Sequence, residues 1–271
     1  MTDNERRIAL RDERVKAAPY WGAVEPRIIL TFLFFAAAWI TVIVLGINGT
    51  IPLWVGLILN TVIASTFYMP MHEATHGNIW GQTSKGKWVE DLIGMLCAIP
   101  LGFSYKAHRP SHMRHHAHTN DPQRDPDYHT AGPMWTVLRS WYAQVLMLTF
   151  LPLFAFVPTA RRLVPNAVLR SMAGDAGNKK SGLIQLRFWF FSTLVLVVAF
   201  LTGYGWAALL LWFIPSRLQG LWLLTVFAWF PHHPATKVGR YVDTRVAVFA
   251  GSRFLIRGHD HHAVHHLFPR V

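Results

Sequence analysis

Histidine carries the chemistry that this chain can do. Fourteen of its fifteen histidines fall in four groups. These are His72 and His76; His108, His112, His115, His116 and His118; His232 and His233; and His259, His261, His262, His265 and His266. His129 stands alone. Residues i, i+3 and i+4 of a helix share one face. His72-x-x-x-His76 therefore presents two imidazoles together, and His112-x-x-His115-His116 and His262-x-x-His265-His266 each present two or three. These eight exceed what one metal takes, whereas two metals with four or five nitrogens each would use them all. Imidazole suits iron, zinc and copper.

Two other metal chemistries share part of this pattern. His72-Glu73-Ala74-Thr75-His76 also reads H-E-x-x-H, the zinc-protease helix with glutamate as general base. That site needs one further ligand and leaves most of the remaining histidines without a task. A ferritin-like di-iron site needs two Glu-x-x-His motifs and more carboxylates. Only Glu73-Ala74-Thr75-His76 fits, and acidic residues number 14 in all.

The elements that position these residues are apolar. Of 271 residues 52% are hydrophobic and 15% charged, and the mean hydropathy is +0.25. Such a chain is neither disordered nor a typical soluble enzyme. Four segments have the length needed to cross a hydrocarbon core, near 28–46, 52–71, 186–203 and 206–230. Trp39, Trp54, Trp206, Trp229 and Tyr204 lie in or near them, several where an interfacial aromatic belt belongs. Two shorter, Pro-interrupted runs, 92–103 and 145–157, read as interfacial or re-entrant helices. The stretch 174–182 reads as a linker.

The net charge is +12. The short connections 47–51 and 204–205 hold no Lys or Arg, while the tail to Arg27, the segment 71–185 and the stretch from Pro231 hold most of the 26. The positive-inside rule then places the N-terminal tail (1–27), the histidine boxes and the C-terminus in the cytoplasm. Without an aromatic-interleaved basic stripe, no nucleic-acid partner is expected. The charged N-terminus has no apolar stretch of the kind a cleavable signal peptide requires. Fold class follows as an all-α integral membrane protein, with one domain over 28–271 whose four transmembrane helices carry a cytosolic helical cap and a histidine-rich di-metal site.

The stretches MHEATHGNIWG, HMRHHAHTNDPQRDPDYH and HHAVHHLFP resemble the membrane fatty acid desaturase superfamily, the histidine-box di-iron enzymes that include carotene ketolases and hydroxylases. The resemblance covers most of 61–269. It implies two iron ions held by His72, His76, His112, His115, His116, His232, His262, His265 and His266. The sequence FPHHP at 230–234 resembles the Leu-Pro-His-Arg-Pro pattern of carotene ketolases, which favours His232 over His233 as the ligand after span four. His108, His118, His233, His259 and His261 then stand behind the ligands or substitute for them. Asp125 and Asp127 are expected either to accept hydrogen bonds from ligand N–H groups or to form a solvated turn with Pro122 and Pro126. Many desaturases carry Asn where this chain has Asp260. Many relatives also continue further past the third box, so a short or incomplete C-terminus is expected.

The resemblance implies O2-dependent oxidation of an unactivated C–H bond, with desaturation of a lipid acyl chain as the leading outcome. Carotenoid ketolation or hydroxylation, or another lipid hydroxylation, shares the same boxes. A non-enzymatic metal-binding membrane protein is the alternative of another class. The single cysteine, Cys97, excludes a built-in four-thiolate cluster, and no G-x-G-x-x-G fingerprint is present. Electrons are therefore expected from a separate ferredoxin, rubredoxin or cytochrome, steered to the basic face if it is acidic. One charge remains, Arg217, well inside the fourth span. A guanidinium there is expensive. It either faces the bundle, satisfied by carbonyls that Pro215 frees or by a neighbour such as Asn60, or it lines a substrate slot.

Overall fold

The computed structural model describes residues 3–81, 86–156, 159 and 179–270. Residues 174–178 of the linker-like stretch, and Val271, lie outside them. The described elements are helical: α1 Asp3–Ala17, α2 Pro26–Ile47, α3 Leu53–Thr66, α4 Tyr68–His76, α5 Lys87–Leu101, α6 Tyr105–His118, α7 Trp135–Phe156, α8 Lys179–Leu201, α9 Gly205–Ala208, α10 Ile214–Leu223, α11 Ser252–Leu255 and α12 His262–Leu267. No strand occurs among the described residues.

Four helical stretches are long and apolar enough to cross a membrane: Pro26–Ile47, Leu53–His76, Lys180–Leu201 and Gly205–Trp229. Each overlaps the span expected from the sequence. Pro26 opens the first, where its missing N–H costs nothing. In the second, α3 and α4 run on through Phe67, which is itself helical. His72 and His76 therefore sit on the last turns of the span helix and not after it. Gly77, at φ +76°, ends that helix in the left-handed conformation that favours glycine.

The four spans are not equivalent. In the second and fourth, 44% and 39% of the apolar window is buried; in the first and third, 11%. Spans two and four thus form the inner pair, and the outer two expose side chains such as Leu33, Phe34, Phe191 and Val195. A protein in water leaves few such faces open; hydrocarbon covers them at no cost. At the inner contact Leu211 lies so close to Gly56 that a Cβ there would meet its Cδ2 at 2.3 Å.

The fourth span is α-helical except for two π-helical segments, Leu209–Phe213 and Leu224–Trp229. Pro215 has no N–H to give to Leu211. Asn60 Nδ2 donates to that freed carbonyl at 2.7 Å. Asn60 is thus not the partner of Arg217. The guanidinium is buried (5% exposed), donates to the Phe213 carbonyl and to Ser216 Oγ, and lies 3.6 Å over the Phe213 ring.

The core runs from these spans into the histidine region, with Phe67, Tyr68, Met71, Cys97, Tyr105 and Phe227 in one cluster. The expected interfacial runs are helices longer than the runs themselves, α5 and α7, because their polar flanks are helical too. The N-terminal tail contains α1, and Glu13 on it pairs with Arg240 at 2.8 Å and with the Tyr241 hydroxyl.

Candidate metal centre

Three helices and one connection supply the imidazoles. Helix α4 carries His72 and His76. Helix α6 carries His112, His115 and His116, and the Tyr105 hydroxyl at its start donates to the Ala74 carbonyl of α4 at 3.1 Å. Helix α12 carries His262, His265 and His266. His232 lies just past the fourth span. The structure gathers these nine into two groups: His72, His76, His112, His116 and His265; and His115, His232, His262 and His266. Within each group the ligand-capable atoms all lie within 4.8 Å of one another.

The contacts fit a shared cation better than hydrogen bonding. His112 Nε2 lies 3.0 Å from His76 Nε2 and 3.1 Å from His116 Nε2, which in turn lies 3.1 Å from His265 Nε2. In the second group His232 Nε2 and His262 Nε2 are 3.0 Å apart. A neutral ring nitrogen has either one proton or one lone pair. It cannot point at two partners, as those of His112 and His116 would have to. Nitrogens about 2.1 Å from one ion, at right angles, lie about 3.0 Å apart.

The opposite ring edges are held. His115 Nδ1 lies 2.8 Å from Asp125 Oδ1 and 3.7 Å from Asp127 Oδ2. Asp125 is buried and accepts the Asn120 and Asp127 backbone N–H groups at 2.7 and 2.8 Å. It is a fixed acceptor, not a solvated turn residue. His72 Nδ1 lies 3.0 Å from Glu73 Oε1, and Asn78 Nδ2 donates to Glu73 Oε2 at 2.7 Å. Thr119 Oγ donates to the His115 carbonyl and so accepts from His266 Nδ1 at 3.2 Å. In each of these rings Nε2 keeps its lone pair, and the Nε2 atoms of His72 and His266 are buried with no hydrogen-bond partner. Such acceptors set the tautomer of a metal-binding histidine.

Burial, with the neighbouring imidazoles adding to it, holds His112, His262 and His266 well below the ordinary histidine range and pushes His265 down to about 4. These rings are neutral at pH 7, as metal binding requires. His115 is the exception: burial pulls it down, but the Asp125 hydrogen bond and the Asp127 charge leave it raised.

The other histidines are sorted by position. His108 stacks on His112 with ring centroids 5.3 Å apart, and His259 lies 5.1 Å from His72 and 4.9 Å from His262. Both stand behind the two groups. His233 turns away, with Nδ1 donating to the Gly132 carbonyl at 3.1 Å and its ring on Trp229. His261 is exposed beside Asp260, and His118 is half-buried outside both groups. Sequence reasoning missed Thr119 and Asn120. Both follow the second box directly, and Asn120 has φ +64° and also donates to the Lys237 and Asp243 carbonyls. Only its position next to the box hinted at this.

Fold and site together define an all-helical protein with four membrane-length helices and a paired histidine cluster able to hold metal. Consistent with this, the fatty acid desaturase family profile matches residues 48–271, and the chain belongs to that family. It is 31% identical over 94 residues to a zeaxanthin 4-ketolase of Chlamydomonas reinhardtii, covering 34% of this chain and 20% of that protein. It is 28% identical over 191 residues to an sn-1 acyl-lipid omega-3 desaturase (ferredoxin) of Synechocystis sp., covering 68% and 51%. It is 24% identical over 175 residues to a beta-carotene ketolase of Paracoccus sp., covering 64% and 55%. The chain thus spans between a fifth and about half of these relatives.

Proposed function

We propose that the chain is a membrane-bound, non-haem di-iron oxidoreductase that uses O2 and external electrons to desaturate a lipid acyl chain. The observation that carries this reading is the division of nine imidazoles into two groups whose ligand atoms lie within 4.8 Å of one another, with six of the rings meeting Nε2 to Nε2 at 3.0–3.1 Å. His72, His76, His112, His116 and His265 hold one iron; His115, His232, His262 and His266 hold the other. Bound iron supplies the oxygen chemistry that breaks an unactivated C–H bond.

The chain's own residues orient and enclose. Glu73, Asp125 and Thr119 keep protons on the Nδ1 atoms of His72, His115 and His266, so that the Nε2 lone pairs face inward. Tyr68, Met71 and Phe227 close the membrane side of the first group and exclude water. The zinc-protease reading loses support because Glu73 sits at the Nδ1 edge of His72, bonded to that ring and to Asn78, with no freedom to act as a base.

The boxes, the N-terminus and the C-terminus face the cytoplasm in this reading, where a separate carrier such as a ferredoxin, rubredoxin or cytochrome delivers electrons to the basic face. The long match to a desaturase that is named with ferredoxin supports the separate carrier.

Carotenoid ketolation is the second reading, favoured by the FPHHP segment and by the ketolase relatives. Expression in a host that makes both fatty acyl lipids and β-carotene separates the two. New double bonds in the fatty methyl esters support desaturation. A red-shifted pigment with unchanged acyl chains overturns it in favour of ketolation.

A further inference from the structure

The segment between the fourth span and the third box, 246–257, is apolar where it is exposed except at Arg253. Val246, Val248, Phe249, Phe254 and Leu255 all face outward, Phe254 at 86%. No acidic residue lies between Asp243 and Asp260, and Arg253 is exposed among these side chains. Water-facing surfaces rarely concentrate large apolar groups in this way. The hydropathy of the segment would not mark it, because it is too short to cross a membrane.

Its depth follows from what it touches. Ile256 is buried in the core cluster that runs from Phe32 and Phe67 to Ile79 and Val89, and the contact of its neighbour Arg257 sets the depth. The Pro26 end of the first span is on the histidine side, since Glu25 N donates to the Ile79 carbonyl at 2.8 Å, just past His76. Phe32 is six residues in from Pro26, and Phe67 is nine residues back from His76. At 1.5 Å per residue these lie about 9 Å and about 13 Å inside the histidine-side ends of their helices. Arg257 Nη2 reaches Ser65 Oγ of α3 at 2.9 Å, two residues deeper still. Phe249 meets the ring of Phe230, the residue that follows the fourth span. The chain thus leaves the fourth span, turns, and comes back down beside the first two spans before it rises into α12.

We propose that residues 246–257 form a re-entrant foot seated in the leaflet on the histidine side. Phe254 and Leu255 lie among the acyl chains there, and Arg253 extends to the lipid phosphates as long cationic side chains do at an interface. The occupant of this apolar face is the bilayer itself, because the face is continuous in depth with the lipid-facing sides of the first two spans. The foot ties the third histidine box to the membrane, since Ile256 precedes His262, the first ring of that box, by six residues. This holds whichever reaction the centre performs.

The test is nitroxide depth measurement on the metal-loaded full chain in phosphatidylcholine–phosphatidylglycerol vesicles. Labels are placed in Phe254→Cys, in Leu33→Cys as the lipid-facing reference and in Gln123→Cys as the aqueous one. Both reference positions are exposed, and the native Cys97 is fully buried. Metal content equal to that of the unmodified chain certifies the fold of each variant. The expected result is that position 254 relaxes with dissolved O2 more than with a water-soluble nickel chelate, as position 33 does and position 123 does not. A response like that of position 123 overturns the proposal and makes the segment a water-facing surface. Exclusion of both reagents also overturns it, because the face is then covered by protein, such as a second copy of this chain.

Discussion

The two imidazole groups are built by different means. The first takes i, i+4 pairs from two helices, His72 with His76 and His112 with His116, and adds His265. The second takes one such pair, His262 with His266, adds the single His115 from α6, and completes itself with His232 from outside any α-helix. Helices α6 and α12 therefore exchange: each gives a pair to one group and a single ring to the other. The first group is largely set once α4 and α6 are docked. The second depends on side chains outside the helical pairs, Asp125 aiming the single ring of His115 and Thr119 holding the Nδ1 edge of His266. Helical spacing alone can assemble one half of a paired centre, while the other half needs support from the loops.

The strongest test removes one ring from each group. His76→Ala and His262→Ala should each lower turnover at least about 10³-fold, the loss of roughly 4 kcal/mol of transition-state stabilisation. Elemental analysis of the purified variants should find about one metal in place of two. If either variant loses both metals, the groups are one cooperative unit and the contrast drawn above fails. A wild-type chain that holds one metal or fewer even after iron loading would remove its basis.

The next effect is smaller and selective. Asp125→Asn should weaken the second group about 10–100-fold in competition with a chelator and leave the first nearly unchanged; Glu73→Gln should do the reverse. Equal loss at both groups in either variant would show that these carboxylates act on the whole cap and not on single rings.

Arg217 lies outside both groups and tests the membrane half. Arg217→Met leaves the Phe213 carbonyl and Ser216 with fewer partners, which costs about 1–3 kcal/mol. The melting temperature should drop by roughly 2–12 °C with product positions unchanged. A stable variant whose substrate preference shifts would instead put Arg217 in the substrate slot. The smallest effect belongs to His129, which joins neither group and whose carbonyl, not its ring, accepts the Ser140 hydroxyl. His129→Ala should keep turnover within about two-fold of wild type.

Much of this is legible in the chain. The four spans follow from apolar length, and the box spacings follow from the helical period, because both are local properties. The allotment of rings is not local. Nothing in His112-x-x-His115-His116 states that His115 parts from its neighbours; that follows only when α6 and α12 face each other. The ranking of His232 over His233 comes from a motif match, and its physical counterpart is that His233 is held by the ring of Trp229, one turn before it, and by the carbonyl of Gly132, about 100 residues away in sequence. Asp125 could equally have been a turn residue, since Pro122 and Pro126 would suit either role. The separation of Asn60 from Arg217 was illegible because it depends on which carbonyl Pro215 strands.

The π-helical segments of the fourth span have a consequence for the reading frame of that helix. Each takes one more residue into a turn than an α-helix does, which sets everything beyond it back by about 100° about the axis from its place in an unbroken α-helix. His232 comes after both, so its bearing is the sum of two such phase offsets. Deleting a single residue within the α-helical stretch Ile214–Leu223, where no bulge takes up the loss, would leave hydropathy, length and every histidine nearly as they were. The span would still insert, yet the ring beyond it would point the wrong way. In this helix, angle is information, and a change that alters only angle is enough to disarm the second half of the centre.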